Sequence, residues 1–297
     1  MESMDPSIAI VGPGAIGTTV AAALHEAGRT PLLAGRTPRE HLRLRTPDGA
    51  VVVVPGPVHT DPTTVSGPVD LVFLAVKATQ IEAAGPWLPA LCHADTVVCV
   101  LQNGVEQEAS VGRWVAGTVL PAVVWFPAQA EPDGTVALRR PPRLTLPDVP
   151  AAQSVVDVLK STRCAVDVTE DFVTVAWRKL LHNAAAGLMA LSGRRSGMFR
   201  REDVARLTLD YLAECLAVAR AAGARLGDDV PQEVLYGLRA QPADLGTSIL
   251  TDRAADRPLE WRVRNEVVAR LGRMHGIPTP VSDVVVPLLA AASDGPG

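Results

Sequence analysis

Lysine is the residue this chain nearly does without: of 28 basic side chains only Lys77, Lys160 and Lys179 are lysine, which leaves 25 arginines. Aromatics are also sparse, 11 in 297 residues, and no apolar run approaches the roughly 20 residues of a membrane span. The four cysteines (Cys92, Cys99, Cys164, Cys215) lack the close pairs of a zinc site or a CxxC redox motif and read as buried free thiols of a reducing compartment. A net charge of −4 argues against a broad basic face for nucleic acid, while leaving room for a local pocket that takes a phosphate. The segment Met1–Ser7 carries acidic residues and no basic start before an apolar stretch, so it is not expected to act as a secretory signal. The expectation is a cytoplasmic protein with a small-molecule partner, binding neither nucleic acid nor membrane.

With 47% hydrophobic residues the chain can fill about two domains of roughly 100–200 residues each. Its first half alternates apolar, β-rich runs with helical patterns. Strands are expected at 7–11, 30–34, 50–54, 69–76, 96–101 and 118–125, and helices at 15–27, 80–91 and 106–114. Continuous apolar strands of this kind are buried on both faces, which predicts a largely parallel sheet covered by helices. After a last short strand at 165–168 the pattern turns helical, with long segments at 171–191, 202–222, 260–275 and 281–292. The expected plan is α/β: a parallel-sheet domain over residues 1–168 and an all-α domain over 169–297.

At the end of the first strand stands Gly12-Pro13-Gly14-Ala15-Ile16-Gly17, a G-x-G-x-x-G that leads into a helix. Gly12 suits the tight turn, Gly14 lets backbone approach a pyrophosphate, and Gly17 lets helix and strand pack closely. The helix start offers N–H groups and the positive end of its dipole to the phosphates. The context of strand, turn and helix is the one a dinucleotide-binding Rossmann unit requires. At the end of the second strand, where an acid would bind free ribose hydroxyls, the chain has Gly35-Arg36-Thr37. A guanidinium there suits a 2′-phosphate, so NADP(H) is expected over NAD(H).

Lys77 closes the strand VDLVFLAV, and Asn103-Gly104 follows TVVCVL. Both positions fall on the carboxyl edge of the predicted sheet, where ligands bind. Lys179 lies inside an apolar helix with Asn183 four residues on, hence on the same face. A lysine can surrender a proton where a guanidinium cannot, so its use in an arginine-rich chain marks Lys179 as a candidate site residue.

These residues resemble the ketopantoate reductases (2-dehydropantoate 2-reductases) over nearly the whole chain. The likeness rests on GPGAIG (12–17), VKATQ (76–80), QNGVEQ (102–107), WRKLLHN (177–183), SILTD (248–252), RPLEWRVRN (257–265) and HGIPTPV (275–281). It implies NADPH-dependent reduction of a 2-keto acid to a 2-hydroxy acid, in a cleft between a Rossmann domain and a helical domain. By this resemblance Lys179 is the substrate-binding general acid and Asn183 a substrate-binding amide. Ser248 matches a hydroxyl near the substrate carboxylate, Asn103 a residue near nicotinamide and substrate, Lys77 a cofactor contact, and Glu260 an acid near the nicotinamide ribose. The chain departs from the family pattern at Gly187 and near Gly197, where asparagines are common, with Arg194 and Arg195 close to the second. Lost amides bear on substrate choice, so ketopantoate is the leading substrate and a related keto acid the next. The alternatives are a dehydrogenase of the same plan acting on a β-hydroxy acid or imine, and a non-catalytic NADP-binding sensor. The Ala- and Leu-rich helical part offers a face for a homodimer.

Overall fold

The computed structural model describes residues 6–294, so Met1–Asp5, most of the segment read above as no secretory signal, lies outside the described residues. The chain divides into two compact units, 1–172 and 173–297.

The first unit runs β1 (Ile8–Val11), α1 (Ala15–Glu26), β2 (Leu32–Ala34), β3 (His41–Arg45), β4 (Val51–Pro55), β5 (Val58–His59), β6 (Leu71–Leu74), α2 (Ile81–Ala84), α3 (Trp87–Leu91), β7 (Val97–Val100), α4 (Gln107–Val111), β8 (Thr118–Pro121), β9 (Val123–Val124), β10 (Ala128–Ala130), β11 (Val136–Leu138), β12 (Arg143–Pro147), α5 (Ala152–Leu159) and β13 (Ala165–Thr169). Six strands pair in parallel in the order β5-β2-β1-β6-β7-β8. This is the doubly wound arrangement in which connections leave β1 toward one edge and return across it to the other, opening a crevice at its carboxyl end. The residues of β1 alternate between the two faces: Ile8 and Ile10 pack with α1 and α5, Ala9 and Val11 with α3. Each fully buried aliphatic side chain contributes about 1.5–3 kcal/mol, and both faces contribute, which is why these strands are apolar throughout.

Three expectations fail in the first unit. The apolar run at 50–54 does not join the parallel sheet; β4 pairs antiparallel with β3 in a separate four-stranded sheet, β10-β11-β3-β4. That sheet has one wet face, and Val51 and Val53 are 45% and 49% exposed on it. The run 118–125 is two strands: β8 ends the parallel sheet at Pro121, while β9 pairs antiparallel with β12 in a third sheet, β13-β12-β9. A proline suits the end of an edge strand because it has no N–H to give to a further ladder. The predicted helix 80–91 is likewise broken at Gly85-Pro86 into α2 and α3.

The second unit is helical: α6 (Phe172–Ser192), α7 (Glu202–Ala221), α8 (Val230–Ala240), α9 (Ser248–Ala254), a π turn (Arg262–Glu266) that leads into α10 (Val267–His275), and α11 (Pro280–Ser293). Eleven residues of α6 are buried, including Trp177, Leu180, Leu181 and Met189, so this helix is the unit's central element. Gly276, with φ +68°, closes α10 in the left-handed conformation that glycine adopts without steric cost. Among the described residues no helix is long and apolar enough to cross a membrane, and all four cysteines are buried and free.

Candidate active site

In the first unit the expected cofactor residues meet at the carboxyl edge of the parallel sheet. The Gly12 N–H donates to Ala34 O (2.8 Å) and the Ala75 N–H to Val11 O (2.8 Å), which ties the ends of β1, β2 and β6 together. Gly12 has φ +89°, and a Cβ on it would stand 2.5 Å from Val76 Cγ1. At Gly17 a Cβ would stand 2.4 Å from Gly12 O, so neither position admits a side chain. Gly14 differs: it is exposed, and a Cβ there would meet no protein atom within 4 Å. The open space lies at the start of α1, whose first turn has no side-chain cap and no acidic residue. Backbone N–H groups with a positive dipole end facing open space fit an anionic pyrophosphate.

Pro13 packs on Gly35, where a Cβ would lie 2.9 Å from Pro13 Cδ, and the next residue, Arg36, is exposed beside the turn. Ala15 and Ile16 are half-buried in the first turn of α1. Lys77 follows β6, directly after the Val76 on which Gly12 packs, and its N–H donates weakly to Gln80 Oε1 (3.4 Å). Asn103 stands in the loop after β7, next to Gly104 with φ +117°. Gln107 fastens that loop, its Nε2 donating to Gly104 O (2.9 Å) and Gln102 O (3.2 Å).

In the second unit α6 presents Lys179 and Asn183 one turn apart, both half-buried. The protein packed round Lys179 strips water from its ammonium group, and the positive charge of Arg264 acts in the same direction. Against the opposing pull of Glu260, these lower its pKa to about 8. Glu260 and Arg264 form a salt bridge (2.8 Å) in which both side chains are buried, 4% and 3% exposed. Arg264 Nη2 also donates to Ser248 Oγ (3.0 Å), the first residue of α9. Lys179, Glu260, Arg264 and Ser248 therefore form one electrostatic cluster. Arg264 is the member that sequence reasoning missed, although its i, i+4 spacing from Glu260 was a usable signal.

The two departures from the family pattern are each packed against a segment distant in sequence. At Gly187 a Cβ would stand 2.6 Å from Asn265 Nδ2, which donates to Ala184 O (3.1 Å) and Tyr211 OH (2.9 Å). A buried amide from the π turn thus occupies the space beside α6. Gly197 lies in a tight helical turn (Ser196–Arg200) bound to the segment before α9, its N–H donating to Ala243 O (2.9 Å). Of the neighbouring arginines, Arg195 donates to Asp244 O (2.7 Å), and both are exposed.

Comparison with known proteins agrees over both units. The family described as "Ketopantoate reductase PanE/ApbA" matches residues 8–151, and "Ketopantoate reductase PanE/ApbA C terminal" matches residues 171–293. The chain is 59% identical over 295 residues to a 2-dehydropantoate 2-reductase of Mycobacterium tuberculosis, covering 99% of this chain and 100% of that one. It is 40% identical over 289 residues to a protein of the same name from Caulobacter vibrioides, covering 97% and 99%. Among solved structures it is similar to a dimeric ketopantoate reductase from Staphylococcus aureus, with TM-score 0.90 and 25% identity over 98% of this chain and 100% of that one.

Proposed function

The chain belongs to the ketopantoate reductase family, and on that premise we propose that it reduces a 2-keto acid, ketopantoate first among them, to the 2-hydroxy acid with NADPH as cofactor. Membership makes it an oxidoreductase acting on CH–OH groups. The observation that carries the mechanism is Lys179 on α6, its ammonium group desolvated and its pKa brought to about 8 beside Glu260 and Arg264.

When bound, the reduced nicotinamide supplies a hydride to the carbonyl carbon. The glycine turn and the start of α1 would hold its pyrophosphate, and Arg36 would pair with the 2′-phosphate. Lys77 and Asn103 stand at the same sheet edge as further cofactor contacts. Lys179 aims an ammonium at the carbonyl oxygen, stabilises the negative charge that develops there, and transfers its proton from Nζ to that oxygen. A lysine with a pKa near working pH does this better than an unperturbed one, because it is still protonated yet gives the proton up readily. Asn183, one turn along α6, orients the substrate with its amide, and Ser248 offers a hydroxyl to the carboxylate. Glu260 restrains Arg264 through their salt bridge, and the family resemblance gives it a role beside the nicotinamide ribose. A second copy of the chain fits this reading as a homodimer partner, in line with the dimeric Staphylococcus aureus relative.

The test is turnover. Purified protein is mixed with NADPH and a panel of 2-keto acids that includes ketopantoate, and loss of reduced-cofactor absorbance is followed, with Lys179→Ala as control. Oxidation of NADPH with at least one panel member, lost in the variant, is expected. No turnover with any member, or an undiminished rate in Lys179→Ala, would sink the proposal; cofactor binding without turnover would point to a sensor.

A further inference from the structure

We propose that Arg264 is a positioning residue for the substrate: its guanidinium turns the Ser248 hydroxyl into a donor for the keto acid's carboxylate and masks the Glu260 carboxylate that would repel it. The inference rests on the reading above, in which Ser248 stands at the substrate and Glu260 at the cofactor.

Stability does not account for the pair. Glu260 and Arg264 are both almost wholly buried, and a buried ion pair is commonly no more stabilising than apolar residues of the same volume. The fold also leaves Arg264 Nε buried with no hydrogen-bond partner among the described residues, a further cost of placing a guanidinium there. What the arrangement provides is direction. A guanidinium has only donors, whereas a serine hydroxyl has one proton and two lone pairs. With Arg264 Nη2 donating to Ser248 Oγ at 3.0 Å, a lone pair of the serine is engaged and its own O–H is left to donate elsewhere. The carboxylate and the 2-carbonyl of a keto acid offer acceptors only, so a hydroxyl held as a donor is the complement that end of the substrate needs.

Charge leads to the same conclusion. An anionic substrate beside the Glu260 carboxylate would meet like-charge repulsion in a weakly screened site, and the 2.8 Å salt bridge to Arg264 offsets it. The chain also has glycine at 187 and 197, where the family commonly has amide side chains, and a donor fixed through Arg264 is one means of reading the carboxylate without them.

Five variants of the full chain test this: Arg264→Met, Arg264→Lys, Ser248→Ala, the double variant Arg264→Met/Glu260→Gln and the double variant Arg264→Met/Ser248→Ala. Steady-state kcat and KM for the keto acid are measured at saturating NADPH, with melting temperature as the control for folding. Should Arg264→Met unfold because Glu260 is left buried without its guanidinium partner, the neutral double variant Arg264→Met/Glu260→Gln carries the measurement. We expect that double variant to melt close to the parent while KM rises about 10- to 100-fold and kcat changes far less, as loss of a charge-assisted hydrogen bond made to bound substrate predicts. Ser248→Ala should raise KM on its own and add little in the Arg264→Met background, because the two act through one bond. Arg264→Lys, which keeps the positive charge but not the fork, should recover part of the affinity. A KM within about twofold of the parent in the neutral double variant, or effects of Arg264→Met and Ser248→Ala that multiply independently, would overturn the inference. Failure of the parent protein to reduce any 2-keto acid would instead bring down the functional reading and this inference with it, so the two failures are told apart by the parent's own activity.

Discussion

Gly187 and Asn265 fit one another: a Cβ on the glycine would stand 2.6 Å from the Asn265 amide nitrogen, and that nitrogen is held by Ala184 O and Tyr211 OH. Side chain and empty space are shared between α6 and the π turn, so a residue cannot be added to one without displacing the other.

Gly187→Ala is therefore predicted to destabilise the protein by about 1–3 kcal/mol through overpacking. Ordinary helix propensity argues the other way, since replacing a mid-helix glycine by alanine gains up to about 1 kcal/mol. The contact distance decides between them. Urea denaturation of parent and variant checks the sign; an unchanged or higher midpoint would mean that Asn265 yields without cost.

The glycine turn separates folding from binding. Gly14→Ala is predicted to keep the parent's melting temperature, because its Cβ meets no protein atom, while NADPH affinity falls about tenfold or more as the methyl group displaces the phosphate from the backbone. Gly17→Ala is predicted to lower stability itself, with its Cβ 2.4 Å from Gly12 O. Cofactor titration by nucleotide fluorescence, run beside thermal melts, distinguishes the two. Equal losses in both readouts for both variants would contradict the prediction.

Arg36→Ala tests the choice between cofactors. Loss of a charge-assisted pair to the 2′-phosphate is expected to weaken NADPH binding by roughly 10- to 100-fold and to leave NADH binding unchanged. Parallel titrations with the two nucleotides measure it, and equal affinities that do not respond to the substitution would refute the assignment.

Lys179 gives a pH dependence of known sign. As general acid it must be protonated, so with its pKa lowered to about 8 kcat/KM should hold below that pH and fall about tenfold per unit well above it. Stability moves the other way. The folded state binds the proton more weakly than the unfolded chain, whose lysine titrates near the ordinary value of 10.5. Between about pH 8 and 10.5 the unfolded state then holds more protons, and stability rises with pH through that window. The penalty of burying the charged amine is present in full below about pH 8. Relative to Lys179→Met, the parent should gain stability as pH is raised from about 8 toward about 10; a constant difference in melting temperature would refute the lowered pKa.

Much of this arrangement was legible in the amino-acid order, because the informative signals are local. The glycine turn, the apolar strands β1, β6 and β7, and the helices α6 and α7 each announce themselves within one turn or one strand. The errors arose where burial depends on a distant partner. Val51–Val54 reads as a doubly buried strand, yet its neighbour β3, with the alternating His41-Leu42-Arg43-Leu44, places it in a sheet that is wet on one side. Arg264 escaped notice for the same kind of reason: in an arginine-rich chain the i, i+4 spacing from Glu260 is a faint local mark, and the contact with Ser248, which shows that this guanidinium is buried in the cluster, is distant in sequence. Gly187 was visible as a departure from the family pattern, but its cause, the Asn265 side chain, lies 78 positions further along the chain.

The π turn at Arg262–Glu266 has a bearing on chain length. Its neighbouring residues Arg264 and Asn265 serve different partners, one turned to Ser248 and Glu260, the other to Ala184 and Tyr211. Such a turn holds one residue more than a regular helical turn. Deleting any one of its residues would let an unbroken α-helix form from Trp261 to His275, and would swing Glu260 about 100° round the axis relative to the buried face of α10. Insertions and deletions in this segment are thus changes of phase between the charged cluster and the helix that carries it, which makes residue count here as consequential as residue identity.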